Sequence, residues 1–216
     1  MPHTKYIKWA SDFLGLPLES TKMISSPTNV VYQLQNGENV WFLKIGPNLS
    51  KEYQKLNWLS GSVSVPKVVT YLDDTQNQIL LQTAILGSNL YELSKVWTKT
   101  EIIVKYAQAL KYLHQVQIKD SELESSELGQ VLTHGDACLP NILFDCEGDL
   151  TGFIDIGDAK LGNPEIDLSA AIWSLQFNFG SGYGLDFLKA YGIENPTDEL
   201  VSKLWSQYNN WIPLKT

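Results

Sequence analysis

Cysteine and histidine are scarce in this chain, with two and three respectively among 216 residues. Cys138 and Cys146 flank a short apolar stretch instead of forming a metal-spaced cluster, and two cysteines make no disulfide framework, so both read as reduced thiols. Basic charge is also short: 16 Lys and Arg against 24 Asp and Glu leave a net charge of −8. A phosphate backbone needs a basic footprint, which argues against nucleic acid as a partner. No apolar run reaches the length of a membrane span, and the opening MPHTKYIKWASDF lacks a signal-peptide core, so the chain reads as cytoplasmic with no membrane partner. Repeats, low-complexity tracts and a linker between independent domains are missing too. What remains is an ordinary globular composition, 44% hydrophobic and 19% charged, at a length that fits one domain or two small lobes.

The chemistry concentrates between Val131 and Asp158, VLTHGDACLPNILFDCEGDLTGFIDIGD. Asp136 and Asn141 share a polar loop that runs into an apolar strand, Ile142 to Phe144. An Asp-Cys-Glu-Gly turn and a second strand, Gly152 to Ile154, then deliver Asp155, with Gly157 close behind. Two strands joined by a tight turn hold their ends together, so a carboxylate before the first and another after the second point into one cleft. Such a site suits phosphoryl transfer: one Asp receives or orients a hydroxyl proton, while an Asn and a second Asp hold magnesium against phosphate oxygens. A loop carboxylate is usually solvated, but Asp136 is followed by Pro140-Asn141 and an apolar strand that hold it in place, as positioning catalysis requires.

Upstream, Tyr6, Ile7, Ala10, Phe13 and Leu14 fall at nearly helical spacing, predicting a helix that covers the first lobe. Strands over Leu18–Ile24 and Asn29–Leu34 enclose Ser25-Ser26-Pro27-Thr28, and an Asn36-Gly37 hairpin turn leads to a third strand, Val40 to Ile45. Lys44 near the end of that strand either snorkels to solvent or reaches a partner. The next helix, Ser50 to Ser60 with Ser50 or Asn48 as its cap, offers Glu52, which alternatively serves as a first-turn acid on the helix dipole. Two further strands, Val68–Leu72 and Gln78–Thr83, close the lobe before a hinge at Ala84-Ile85-Leu86-Gly87. A long amphipathic helix follows from Thr100 to about Gln117, capped by Thr98 or Thr100, with a Thr-x-x-Ile opening that lacks a full capping box. Its His114 reads as a packed or half-exposed structural histidine, since nothing at metal spacing accompanies it.

His134-Gly135-Asp136, Asn141 and Ile154-Asp155-Ile156-Gly157 resemble the catalytic and metal-binding loops of the aminoglycoside phosphotransferase family, small-molecule relatives of protein kinases. The resemblance implies an α+β, two-lobed protein-kinase-like fold, with a small antiparallel-sheet N-lobe over residues 1–87 and a mainly helical C-lobe over residues 88–216. It implies that Asp136 is the catalytic base, that Asn141 and Asp155 bind Mg2+, and that Lys44 contacts nucleotide phosphates while paired with Glu52. Ser25 and Ser26 then stand in a phosphate-covering loop that has no glycine, though a plain β-turn accounts for Ser25-Ser26-Pro27-Thr28 equally well. Backbone groups of the hinge bind the adenine edge, so ATP and GTP are both open as the cofactor. His134 takes a structural role in this reading, and Asp167, in Asp167-Leu168-Ser169-Ala170-Ala171, braces the catalytic loop.

Two departures mark the chain as a shortened member. The segment Lys119 to Gln130, KDSELESSELGQ, is short and acidic where the family carries a helical wall of the antibiotic site, and the end Asn209 to Thr216 lacks the acidic residues that meet a drug's ammonium groups. Lys160 to Glu165 reads as a loop, followed by helices over Ile166–Phe177, Leu185–Tyr191 and Thr197–Asn209. The aromatic residues Trp173, Trp205 and Trp211 are assigned to core packing, with a sugar-stacking platform as the less economical alternative. The implied activity is transfer of the γ-phosphoryl group to a hydroxyl of a small, cationic molecule, with an aminoglycoside as the default acceptor. The alternatives are a kinase for another hydroxylated metabolite or a macrolide, and a nucleotide-binding relative without transfer. Acceptor identity, regiochemistry and oligomeric state are not set by these residues.

Overall fold

The computed structural model describes residues 3–25, 29–74, 77–118 and 130–211. Ser26, the acidic segment from Lys119 to Gly129 and the last residues, 212–216, lie outside them. The chain divides into two compact units, one of Met1–Ser60 with Val65–Ile85, the other of Gly61–Ser64 with Leu86–Thr216.

The first unit is a five-stranded antiparallel sheet built from β1 (Glu19–Ser25), β2 (Val30–Asn36), β3 (Asn39–Gly46), β4 (Val68–Asp73) and β5 (Gln78–Thr83), in the order β1-β2-β3-β5-β4. Successive side chains on a strand face opposite ways, and β3 shows what that does here. Its Leu43 and Ile45 join Leu34, Ile79 and Leu81 in a core that receives Tyr6 and Ala10 from α1 (Thr4–Leu14). Lys44 lies between them in sequence and therefore faces the other side of the sheet. There it meets α2 (Ser50–Leu59). The start of α2 differs from the expected Ser50 or Asn48 cap: Leu49 occupies the cap position without a side-chain bond, and Gln78 Oε1 instead accepts from the Ser50 amide at 2.8 Å.

The second unit is mainly helical. Its helices are α3 (Leu90–Leu93), α4 (Lys99–Gln115), α5 (Glu165–Phe179), α6 (Gly184–Tyr191) and α7 (Asp198–Trp211). At α4 the absence of a capping box is overturned. Thr98 is the cap, its hydroxyl accepts from the Glu101 amide at 3.2 Å, and Glu101 Oε2 accepts from the Thr98 amide at 2.8 Å. Reading the helix from Thr100 hid the Thr-x-x-Glu pair two residues upstream.

Two small antiparallel sheets carry the loops. β8 (Ile142–Phe144) pairs with β9 (Leu150–Phe153) and with β6 (Ser88–Asn89), while β7 (Val131–Thr133) pairs with β10 (Lys160–Gly162). The span expected as a loop from Lys160 thus begins with a strand. Gly87 sits against β8 so closely that a Cβ there would lie 2.4 Å from the Phe144 carbonyl oxygen, and its φ of +121° excludes most other residues. Among the described residues no helix is long and apolar enough to cross a membrane.

Candidate active site

In the first unit, Lys44 Nζ donates to Glu52 Oε1 at 2.6 Å, with both side chains largely buried. An ion pair so sheltered holds the ammonium in one place, because moving either partner away strands the other in a low-dielectric surrounding. Ser25 ends β1, paired with Val30, and Ser26 lies outside the described residues.

In the second unit, the loop after β7 is fixed by its neighbours. Asp167, fully buried on α5, accepts from the amides of His134 and Gly135 at 2.7 and 2.9 Å and from His114 Nε2 at 3.1 Å. His114 in turn accepts at Nδ1 from the Tyr191 hydroxyl at 2.7 Å, and burial raises the pKa of that phenol, keeping it a donor. The small residues Ser169, Ala170 and Ala171 are all buried, letting α5 lie close to its neighbours. Further along, Ser174 Oγ accepts from the Leu139 amide at 3.1 Å, and the Tyr106 hydroxyl donates to the Ala137 carbonyl. Gly135 is required sterically: its φ is +83°, and a Cβ there would lie 2.4 Å from the Asp158 carbonyl oxygen.

The Asp136 and Asp155 loops are joined through Ile154. Its amide donates to the Asn141 carbonyl at 3.0 Å, and its carbonyl accepts from His134 Nε2 at 2.9 Å. The Asp136 amide donates to His134 Nδ1 at 3.3 Å, so the ring donates at Nε2 and accepts at Nδ1, the two roles of one neutral tautomer. A histidine occupied at both nitrogens by backbone is a structural link. Asp155 follows with φ +59°, the one non-glycine residue among those described with positive φ. A left-handed conformation costs such a residue roughly 1–2 kcal/mol, and here the flanking bonds to Ile154 hold it there.

Asn141 Nδ2 donates to the Asp136 carbonyl at 2.9 Å, which leaves its Oδ1 as the oxygen for a cation. Together with the exposed Asp155 carboxylate this is an all-oxygen donor set, the kind a hard divalent ion takes. Among the described residues no group of three or more His, Cys, Asp or Glu forms a metal cage. Magnesium bound partly by phosphate and water needs only one or two protein carboxylates.

The Asp136 side chain has a partner that no motif announced. The Tyr208 hydroxyl, from α7, donates to Asp136 Oδ1, and Cys138 Sγ lies 3.4 Å from that same oxygen and 3.4 Å from the Tyr208 hydroxyl. Burial first, then the neighbouring Cys138 and Asp136, push the Tyr208 phenol far above its usual pKa, so it stays protonated and donates. Trp173 also departs from its core assignment: it is half-buried, stacked on exposed Phe177 at 5.0 Å between ring centroids and packed against Tyr208 at 5.4 Å.

Residues 121–204 match the profile of the Phosphotransferase enzyme family. An aminoglycoside 3'-phosphotransferase of Niallia circulans is 28% identical over 74% of this chain and 79% of its own length. One from Escherichia coli is 26% identical over 90% of this chain and 87% of its own. Among solved structures, a Streptomyces rimosus aminoglycoside phosphotransferase in complex with ADP and streptomycin superposes with a TM-score of 0.74 at 16% identity, covering 97% of this chain and 98% of that one. A Plasmodium vivax ethanolamine kinase gives 0.63 at 14% identity, covering 94% and 75%. The kinase-like fold is common to both. The sequence relationship runs along most of the chain, and the HGD and ID-x-G loops are tied together within one unit, so the chain is similar in sequence to aminoglycoside 3'-phosphotransferases and shares the fold of kinase-like enzymes.

Proposed function

We propose that this protein transfers the γ-phosphoryl group of ATP or GTP to a hydroxyl of an aminoglycoside, the reaction by which such antibiotics are inactivated. The observation that carries the reading is the Ile154 link, by which the loop bearing Asp136 and Asn141 is bonded to the loop bearing Asp155. Phosphoryl transfer is catalysed mainly by positioning and by charge stabilisation, so a loop held by Asp167, Ser174, Tyr106 and Ile154 is suited to it.

In this reading Asp136 receives or orients the proton of the acceptor hydroxyl, with the Tyr208 hydroxyl holding its carboxylate in place. Lys44, kept in position by Glu52, contacts the nucleotide phosphates, and Ser25, at the end of β1, is assigned with Ser26 to binding them. Asn141 Oδ1 and the Asp155 carboxylate hold Mg2+, which supplies charge neutralisation for the phosphates when bound. The named relatives support an aminoglycoside acceptor, and their shared 3' specificity makes the 3'-hydroxyl the first position to test. The test is incubation with Mg2+, either nucleotide and aminoglycosides that have or lack that hydroxyl, followed by mass spectrometry and phosphorus NMR of the product. A phosphate monoester on the drug is expected. ADP release with no aminoglycoside, combined with turnover of other alcohols, would overturn the acceptor assignment.

The similarity to an ethanolamine kinase favours one second reading, a kinase for another small hydroxylated cation, and ethanolamine in the same assay decides it. Acceptor-dependent ADP release with any of these compounds eliminates a purely nucleotide-binding protein.

A further inference from the structure

Helix α5 does two things at once. Its inward residues Asp167 and Ser174 hold the HGD loop, while Trp173 and Phe177, one turn apart, carry a stacked aromatic pair. The rings lie 14° from parallel, and Phe177 is 74% exposed. Trp173 continues inward to Tyr208, the residue whose hydroxyl meets the Asp136 carboxylate. Three aromatic rings therefore run without a break from solvent to the proposed base, over a distance on the order of 10 Å, two ring-to-ring steps.

Phe177 keeps most of its ring in water, so burial contributes little there and the ring face is open to a ligand. Aromatic faces have two further uses: they take the apolar C–H face of a saccharide ring, and their negative quadrupole attracts ammonium groups. A net charge of −8 adds a general attraction for cations and disfavours an anionic occupant. The position beside Asp136 ties the occupant to the reaction. We infer that Trp173, Phe177 and Tyr208 form an acceptor subsite that receives a cationic sugar ring of the aminoglycoside while the reacting hydroxyl lies at Asp136.

The inference rests on the proposed function and assigns acceptor recognition to aromatic side chains. Phe177→Ala is the decisive variant, since an exposed side chain can be removed without loss of the fold. Its aminoglycoside KM rises about tenfold, while kcat and the nucleotide KM stay within twofold, and Phe177→Tyr, which keeps the ring, restores the acceptor KM. An unchanged acceptor KM in Phe177→Ala overturns the subsite. So does a wild-type dimer that this variant dissociates, because the strip is then an interface between copies. If wild-type protein phosphorylates no aminoglycoside, the proposed function fails separately, and titration of intrinsic tryptophan fluorescence with streptomycin or hygromycin B still decides the subsite. Saturable quenching weakened by Phe177→Ala supports it, and no quenching refutes it.

Discussion

Asp167→Asn changes one atom's chemistry at the point where three donors converge. In the native protein Oδ2 accepts from the His134 amide and His114 Nε2, and Oδ1 accepts from the Gly135 amide. An amide side chain offers a single acceptor oxygen. If it serves His134 and His114, its NH2 faces the Gly135 N–H, two donors against each other in a site with no exposure. A buried donor left without a partner costs about 1–3 kcal/mol, and the surviving bonds lose their charge assistance, each falling from about 1.5–3 toward about 1 kcal/mol. Relief of the carboxylate's own desolvation works in the opposite direction. The net loss is about 2–4 kcal/mol, which at about 2–4 °C per kcal/mol lowers the melting temperature by roughly 5–15 °C. Thermal unfolding followed by circular dichroism reads this directly. kcat should fall as well, since the same bonds position Asp136. A variant that melts within a degree of wild type and turns over normally would refute the claim that Asp167 organises the catalytic loop.

Tyr208→Phe keeps the ring against Trp173 but removes the hydroxyl from Asp136, and it should lower kcat about tenfold with the nucleotide KM unchanged in steady-state assays. Gly135→Ala places a Cβ 2.4 Å from the Asp158 carbonyl oxygen at a φ of +83°, and should destabilise the protein by at least about 2 kcal/mol in denaturant titration, with activity lost in parallel.

The parts of the fold with strong local signals were readable in advance, and those depending on distant contacts were not. The Asn36-Gly37 hairpin, the alternation around Lys44 and the HGD and ID-x-G loops are short-range features, and the structure places strands and loops at those positions. β6, β7 and β10 contain two or three residues each, too few for any periodicity to register, and they exist because a partner strand pairs with them. The capping box of α4 was hidden by a start assigned one residue late. Tyr208 lies 72 residues from Asp136, on a helix whose sequence shows only an apolar spacing. No motif marks it, and only the packing of α7 against α5 brings it to the loop. Trp173 illustrates the same limit: composition assigns it to the core, whereas its position on α5 leaves it half-buried beside Phe177.

Asp136→Asn is the most direct test of the account. The substitution keeps the shape of the side chain, its oxygen still accepts from Tyr208, and the Asn141, Asp155 and Lys44 side chains proposed to hold magnesium and nucleotide are untouched. Acceptor-dependent ADP release should fall by a factor of at least about 100, with the dissociation constant for nucleotide and Mg2+ changed less than twofold by calorimetry. Turnover at the wild-type rate in this variant would contradict the assignment of Asp136 as the base and the phosphotransfer mechanism built on it.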